Sequence, residues 1–144
     1  MAGVDVQKFL NSTATMTYSC GASVPPAQNP GVQLGTALGL SATQGRDKIT
    51  ILTSPSLSSF GYWLEQLFAE STGKEGHGLI PVANEPMGTP EVYGTDRLFI
   101  YIKDGKAPSE GGAGAALEKT IDALEKADHP VIRIMINDFR WFNF

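Results

Sequence analysis

Short apolar runs rich in β-branched residues recur along the chain, and helical patterns separate most of them. The runs cover Lys48–Thr53, Gly78–Val82, Arg97–Ile102 and Val131–Ile136. Such runs are typical of strands that are buried on both faces. Because strands that alternate with helices form parallel sheets covered on both sides, the pattern predicts an α/β fold. We expect three layers, helix–sheet–helix, around a parallel sheet of four or five strands.

Length, charge and cysteine content restrict the classes of protein to consider. The chain has 144 residues and a net charge of −4, so we expect one domain over residues 1–144. Its basic residues are scattered, which argues against nucleic acid and membrane surfaces as partners. The single cysteine, Cys20, excludes an intrachain disulfide and a cysteine-rich metal site. No run is long enough to span a bilayer, so a soluble, cytoplasmic protein is expected.

Capping residues and glycines predict where the helices of the N-terminal third begin and end. Asp5 is a candidate cap for a first helix, and Asn29–Pro30 starts a second helix that Gly45 stops. Glycines recur in the second helix every four residues, at Gly31, Gly35 and Gly39. The simplest interpretation of this spacing is close packing against a neighbour, rather than contact with a ligand.

A cluster of hydroxyl side chains lies between the first predicted strand and the helix that follows it. The cluster comprises Thr53, Ser54, Ser56, Ser58 and Ser59. In parallel α/β sheets ligands bind at this position, and helix N-termini attract phosphate. Serines also cap helices, and Pro55 suits a turn. Both a phosphate site and a capping role therefore remain open at this point.

The helix after the hydroxyl cluster carries Gln66 and Glu70 on one face, because they are four residues apart. The spacing predicts an inward stripe that includes Leu57, Phe60, Leu64, Leu67 and Phe68. Glu70 is near the partly negative C-terminal end of the helix, where a carboxylate becomes a better proton acceptor. It is a candidate general base, and Gln66 is a candidate substrate contact. The alternative is a surface glutamate paired with Lys74, four residues later.

The two histidines and the C-terminus give weaker signals. Neither His77 nor His129 has a metal-ligand or triad neighbour in sequence. We expect His129 to lie in a surface loop and give His77 a small chance of a catalytic role. The final residues, NDFRWFNF, are apolar and aromatic. Such a tail is expected to pack on this domain, to form an interface or to be covered by a further element. Neither a Walker motif nor a dinucleotide fingerprint is present, and no cofactor or metal is expected.

The segment FGYWLEQLFAESTGKEGHGLIPV, residues 60–82, resembles glucose-6-phosphate isomerase. The most similar form is the bacterial one found in transaldolase/phosphoglucose isomerase fusions. The resemblance extends to AGVDV, NPGVQLGTALG, GRDKITILTSP, PEVYGTDRLFIY and HPVIRI, and so covers nearly the whole chain. It implies the second sugar-isomerase (SIS) domain of that family, which has a three-layer αβα fold.

The resemblance implies roles for two residues. Glu70 matches the glutamate of the family's ES-x-GK motif, which moves a proton between C1 and C2 of the sugar through a cis-enediol. Gln66 matches a glutamine one turn earlier that contacts the substrate. The implied substrates are glucose 6-phosphate and fructose 6-phosphate, and the implied partners are the remaining domains of the isomerase and a second subunit in a homodimer.

Several parts of the family's active site have no match in this chain. The missing parts are the glycine-glycine-arginine motif, the first SIS domain with its phosphate loop, the C-terminal lysine and glutamine segment and the ring-opening histidine. The chain alone is therefore expected to be inactive, and the hydroxyls at 53–59 become weaker candidates for the phosphate site. The competing interpretation is a non-catalytic SIS module that binds sugar phosphates or assembles subunits.

Overall fold

The computed structural model describes residues 5–106 and 112–137, and these form two compact units. The first unit holds residues 5–41, and the second holds the described residues from 42 onward. The first unit contains α1 (Val6–Ser19) and most of α2 (Pro30–Thr43). The second unit contains all four strands and two further helices. The single domain over residues 1–144 stays a prediction.

The predicted strands are present in the second unit, with small shifts at their ends. Its elements are β1 (Lys48–Thr53), α3 (Ser58–Thr72), β2 (Ile80–Ala83), β3 (Arg97–Asp104), α4 (Gly112–Lys126) and β4 (Val131–Ile136). The bounds of β1 and β4 agree with the sequence prediction, whereas β2 begins later and β3 continues further. Short 3₁₀ turns occur at Pro26–Gln28, Pro55–Leu57 and Pro90–Val92.

The four strands form one parallel sheet in the order β2–β1–β3–β4. Thr50 of β1 lies opposite Phe99 of β3, and Leu52 lies opposite Tyr101. The chain therefore adds β2 on one side of β1 and then crosses to the other side to add β3. The carboxyl ends of β1 and β3 flank the point where the strand order reverses, which is where ligands bind in many open α/β sheets.

Helices cover both faces of this sheet. On one face, Leu52, Phe99 and Tyr101 are buried with Ile121 and Leu124 of α4. On the other face, Gly61 of α3 packs against β1, since a Cβ added there would lie 3.3 Å from Thr53 Cγ2. A side chain at position 61 would therefore require Thr53 or Asn84 to shift by a few tenths of an ångström. The predicted three-layer α/β fold is therefore confirmed, with four strands among the described residues.

The connection from β2 to β3, residues 84–96, packs on the sheet face that α4 also covers. Its Glu85 accepts a hydrogen bond and forms an ion pair with Arg97, and Arg97 also donates to Thr50 Oγ1 at 2.7 Å. Tyr93 packs edge-on against Phe99, with 5.1 Å between ring centroids. Side-chain contacts therefore hold this connection against the core.

His129 packs against residues of this connection and of β3, which corrects the prediction that it is a surface loop residue. Its ring is half-buried and packs edge-on against Phe99, with 5.6 Å between ring centroids. Its Nε2 lies 2.9 Å from the carbonyl oxygen of Pro90. His129 precedes β4 in the chain, at the edge of the sheet where the strands begin. It therefore links the connection from β2 to β3 to the sheet.

In the first unit, the predicted caps are present, and one of the three glycines has a close neighbour. The backbone N–H of Lys8 donates to Asp5 Oδ1 and that of Val32 to Asn29 Oδ1, each at 3.0 Å. A Cβ at Gly31 would lie 3.2 Å from Cys20 Sγ. At Gly35 and Gly39 it would meet no described atom within 4 Å, so close packing at these two positions stays a prediction.

One prediction falls almost wholly outside the described ranges, since residues 138–144 of the aromatic ending NDFRWFNF are not among the described residues. Across residues 5–106 and 112–137, none of the helices combines the length and the apolar character needed to cross a bilayer.

Candidate functional site

The two residues that the sequence singles out lie together on the outer face of α3. The side-chain amide of Gln66 donates a hydrogen bond to Glu70 Oε1 at 3.2 Å. Both side chains are exposed. The four-residue spacing therefore brings them into direct contact, as the helical period requires. Their roles as base and substrate contact stay predictions.

Large apolar side chains surround this pair on the same helix face. Tyr62 is 62% exposed, Trp63 54% and Leu67 42%. The ring of Phe60 stacks on Trp63 with 5.5 Å between the centroids. The assignment of Leu67 to the inward stripe is therefore wrong. Among the residues of α3 only Gly61 is fully buried.

The carboxylate of Glu70 has no cationic partner among the described residues. The last turn of α3 contains no basic residue, and no ion pair joins Glu70 to Lys74 in the part of the chain that the structure describes. Lys74 instead enters a tight turn, where its backbone exchanges two hydrogen bonds with His77. Glu70 is therefore on the surface, as expected of a surface glutamate paired with Lys74, but the structure does not show that pairing.

The hydroxyl cluster is at the opposite end of α3, and a carboxylate occupies it. Ser56 Oγ donates to Asp104 Oδ2 at 3.0 Å, and the backbone N–H of Asp104 donates to Ser54 Oγ at 3.0 Å. Asp104 is buried and also accepts the N–H of Lys106 at 2.8 Å. A buried carboxylate repels phosphate at short range, so this arrangement disfavours a phosphate site. The expected capping role is not seen either, since α3 begins without a side-chain cap.

The two ends of α3 are too far apart to form one site for a small sugar. Ser58 and Glu70 are 12 residues apart on the helix, which at 1.5 Å per residue corresponds to about 18 Å. The hydroxyl cluster is at the edge where the strands end, and Glu70 is at the edge where they begin. A six-carbon sugar phosphate is too short to contact both groups.

His77 lies in the turn that directly follows α3. The turn is a two-residue hairpin in which Glu75 and Gly76 have φ values of 52° and 78°. The two reciprocal backbone bonds between Lys74 and His77 place their side chains on the same side of this hairpin. His77 is exposed and within the same segment as Glu70, and nothing in its contacts assigns it a role.

Two residues with defined contacts were not identified from the sequence. Asp104 directly follows the apolar part of β3, and its partner Ser56 lies 48 residues earlier. Predicting that β1 and β3 are adjacent would have brought these two ends together. Thr72, the last residue of α3, bridges the helix to the residue before β2. Thr72 lies in a polar stretch at the end of the helix, and nothing in the sequence there indicates its contact with Leu79.

Curated relatives are named glucose-6-phosphate isomerase. The chain is 28% identical over 137 residues to the enzyme of Leptospira interrogans, a match that covers 87% of this chain and 29% of the relative. It is 31% identical over 105 residues to the enzyme of Methanocaldococcus jannaschii, covering 72% of this chain and 25% of the relative. For Parabacteroides distasonis the identity is 26% over 134 residues, covering 92% and 27%. No protein-family model matches the chain.

These matches cover most of this chain but only about a quarter of each relative. They agree with the family that the EQLFAESTGK segment resembles. None of the three names mentions a transaldolase, so the closer resemblance to the bifunctional form stays a prediction. By sequence and fold, the chain is an α/β domain related to one part of the glucose-6-phosphate isomerases.

Proposed function

We propose that this chain supplies the proton-transfer base of a glucose-6-phosphate isomerase, with Glu70 as the base and Gln66 as a substrate contact. The observation that carries the proposal is the 3.2 Å hydrogen bond between these two side chains on the exposed face of α3. The relatives' names supply the reaction class, which is the interconversion of glucose 6-phosphate and fructose 6-phosphate.

The proposed reaction moves one proton between adjacent carbons. The Glu70 carboxylate takes the proton from C2 of the open-chain aldose. The electron pair of the C2–H bond forms the C1–C2 double bond, and the C1 carbonyl oxygen becomes the enediolate oxygen. That oxygen takes up a proton and the C2 hydroxyl releases one, so the new carbonyl forms at C2. The electron pair of the C1–C2 double bond then takes the proton back from Glu70 onto C1, which gives the ketose. Both sugars are isomers, so no oxidant or reductant is consumed.

The surroundings of Glu70 suit a proton acceptor. The C-terminal end of a helix is partly negative, and no basic residue lies in the last turn of α3 to offset that charge. The amide of Gln66 fixes one oxygen of the carboxylate, which leaves the other free to accept a proton. No described residue donates to the Gln66 carbonyl oxygen, which is therefore available for a sugar hydroxyl.

The exposure of this pair favours a composite active site. Proton transfer from carbon is most efficient where fixed dipoles replace water around the developing charge, yet Gln66 and Glu70 are on an open helix surface. Trp63 and Leu67 are exposed beside them, as expected of a surface that another protein surface covers. We propose that the remaining domains of the isomerase cover this surface of α3. We expect the complete enzyme to be a homodimer.

Replacement of Glu70 in the full-length protein tests the proposal. Glu70→Gln keeps the size of the side chain and its bond to Gln66 but removes the base. We expect turnover of fructose 6-phosphate in a coupled assay to fall by about 10³-fold or more, while binding of fructose 6-phosphate persists. Glu75→Gln, five residues away in the exposed hairpin, is the matched control and should retain full turnover.

The same assay distinguishes the chain from the complete enzyme. The 144-residue chain by itself should show little or no isomerase activity, because it lacks the glycine-glycine-arginine motif and the other groups named above. Normal turnover by the Glu70→Gln protein would refute the role given to Glu70. Turnover by the isolated chain near that of the full-length enzyme would refute the composite site.

A non-catalytic SIS module that binds sugar phosphates or assembles subunits is the competing function. The exposure of Tyr62 and Trp63 favours it, since these rings form a contact surface without any chemistry. Under this alternative, the full-length protein would bind fructose 6-phosphate or self-associate without converting the sugar. The soluble, cytoplasmic protein expected from the sequence stays a prediction.

A further inference from the structure

The last turn of α3, which carries Glu70, is tied to the start of β2 by one hydroxyl group. Thr72 Oγ1 donates to the carbonyl oxygen of Phe68 at 2.8 Å. The same oxygen accepts the backbone N–H of Leu79 at 3.0 Å. Leu79 directly precedes β2, so Thr72 joins the end of the helix to the sheet. Thr72 is half-buried on the side of α3 that faces away from the Gln66–Glu70 pair.

The loop between these two residues is built to bring Leu79 back to Thr72. The backbone N–H of Gly73 donates to Ala69 O, and Lys74 and His77 close the hairpin with two backbone bonds. Gly78 has a φ of 149° and lies so close to the helix end that an added Cβ would be 2.8 Å from Gly73 Cα and 2.9 Å from Thr72 O. Because backbone meets backbone there, position 78 requires glycine.

We propose that Thr72 is a positioning residue for Glu70, an inference that rests on the function proposed above. The last turn of a helix is the part that frays first. The Thr72 hydroxyl adds a second donor to the Phe68 carbonyl oxygen and satisfies the Leu79 N–H, which holds the turn that contains Glu70 at a fixed rotation. A base displaced by about 1 Å loses on the order of 10²-fold in rate, so the hydroxyl contributes to turnover without contacting the sugar.

The test uses Thr72→Val in the full-length protein, because valine keeps the shape and β-branching of threonine but cannot form either bond. We expect kcat to fall by about tenfold to a hundredfold, with KM changed less than twofold. Thr72→Ser restores the hydroxyl and should recover most of kcat. The matched control is Thr120→Val, which removes the same kind of bond, to Ala116 O, from α4. It should leave kcat unchanged.

Hydrogen exchange on the 144-residue chain provides a second measurement that does not depend on any variant. The Leu79 amide should exchange at least about a hundredfold more slowly than an exposed loop amide. Free exchange of Leu79 would overturn the proposal, and so would an unchanged kcat in Thr72→Val. If Thr72→Val keeps full activity while Glu70→Gln loses it, only the positioning role fails. If Glu70→Gln keeps full activity, both the proposed function and this inference fail.

Discussion

The helices α3 and α4 have the same length, 15 residues, and cover opposite faces of one sheet, yet their outer surfaces are organised in opposite ways. On α4 the carboxylates are neutralised by cations from the sheet. Arg133 of β4 contacts Glu118 at 3.0 Å, Asp122 at 2.7 Å and Glu125 at 2.8 Å. Lys103 of β3 also pairs with Glu118, at 2.7 Å.

On α3 the outward polar groups contact each other instead of the sheet. Gln66 donates to Glu70, and no cation neutralises Glu70 among the described residues. Exposed aromatic and aliphatic side chains adjoin the pair on α3, whereas none of the large exposed apolar residues belongs to the described part of α4. The charges of α4 are engaged in holding that helix to the sheet. On α3, Glu65 accepts the backbone N–H of Ala83 in β2, while the carboxylate of Glu70 remains available for an external partner.

The difference shows why the number of carboxylates on a helix does not locate a site. By composition α4 is the richer helix, since its acidic residues are more numerous than those of α3. Its acidic groups nevertheless have defined cationic partners. The candidate site is on the helix with fewer charges, where the single outward carboxylate lacks such a partner.

The largest expected difference between α3 and α4 is in how much their charged groups contribute to folding stability. Arg133→Met keeps the aliphatic stem and removes the cation that three α4 carboxylates share. Because the network is partly exposed, we expect the free energy of unfolding to fall by about 1–2 kcal/mol. Glu70→Gln should change it by less than about 0.5 kcal/mol. Urea denaturation of the 144-residue chain measures both, and equal losses for the two variants would contradict the comparison.

A smaller effect is expected on the pH dependence of folding stability. Burial opposes ionisation of Glu118, but its contacts with Lys103, Tyr101 and Arg133 outweigh that effect and lower its pKa. The hydrogen bonds from Arg133 lower the pKa of Glu125. A carboxyl group with a lowered folded-state pKa stabilises the fold above its unfolded value of about 4.3, and this contribution is lost as the pH falls through the folded value.

The fold should therefore lose stability as the pH drops from about 5 toward 3. Lys103→Met removes one partner of Glu118, and Arg133→Met removes partners of both glutamates. The acid-induced loss should become smaller in Lys103→Met and smaller again in Arg133→Met. Urea midpoints measured at pH 7, 5, 4 and 3 test this order. Parallel curves for all three proteins would show that the network does not cause the acid sensitivity.

The strands could be predicted from the sequence because each overlaps a short apolar run. For β1, which is almost wholly buried, and for β4, which is only partly buried, this run gives the observed bounds. The pairing of Gln66 with Glu70 was also predictable, since it depends on helical spacing alone. These features are local, and local geometry follows directly from residue order.

Features that depend on contacts between distant segments were missed or wrongly assigned. Leu67 has the spacing of an inward residue, but it is 42% exposed, and Gly61 is the only fully buried residue of α3. The contact between Ser56 and Asp104 joins residues 48 apart, so helix and strand periods carry no information about it. That no cation among the described residues pairs with Glu70 likewise depends on the path of the chain after Lys74.

Isotope exchange at the sugar carbons tests the role of Glu70 most directly. The full-length protein is incubated with fructose 6-phosphate in D₂O, and deuterium at C1 of the ketose and C2 of the aldose is followed by NMR. We expect the wild-type protein to incorporate deuterium at these carbons, Glu70→Gln to incorporate it about 10³-fold more slowly, and Glu118→Gln to match the wild type. Incorporation by Glu70→Gln at the wild-type rate would contradict the assignment of the proton-transfer base to α3.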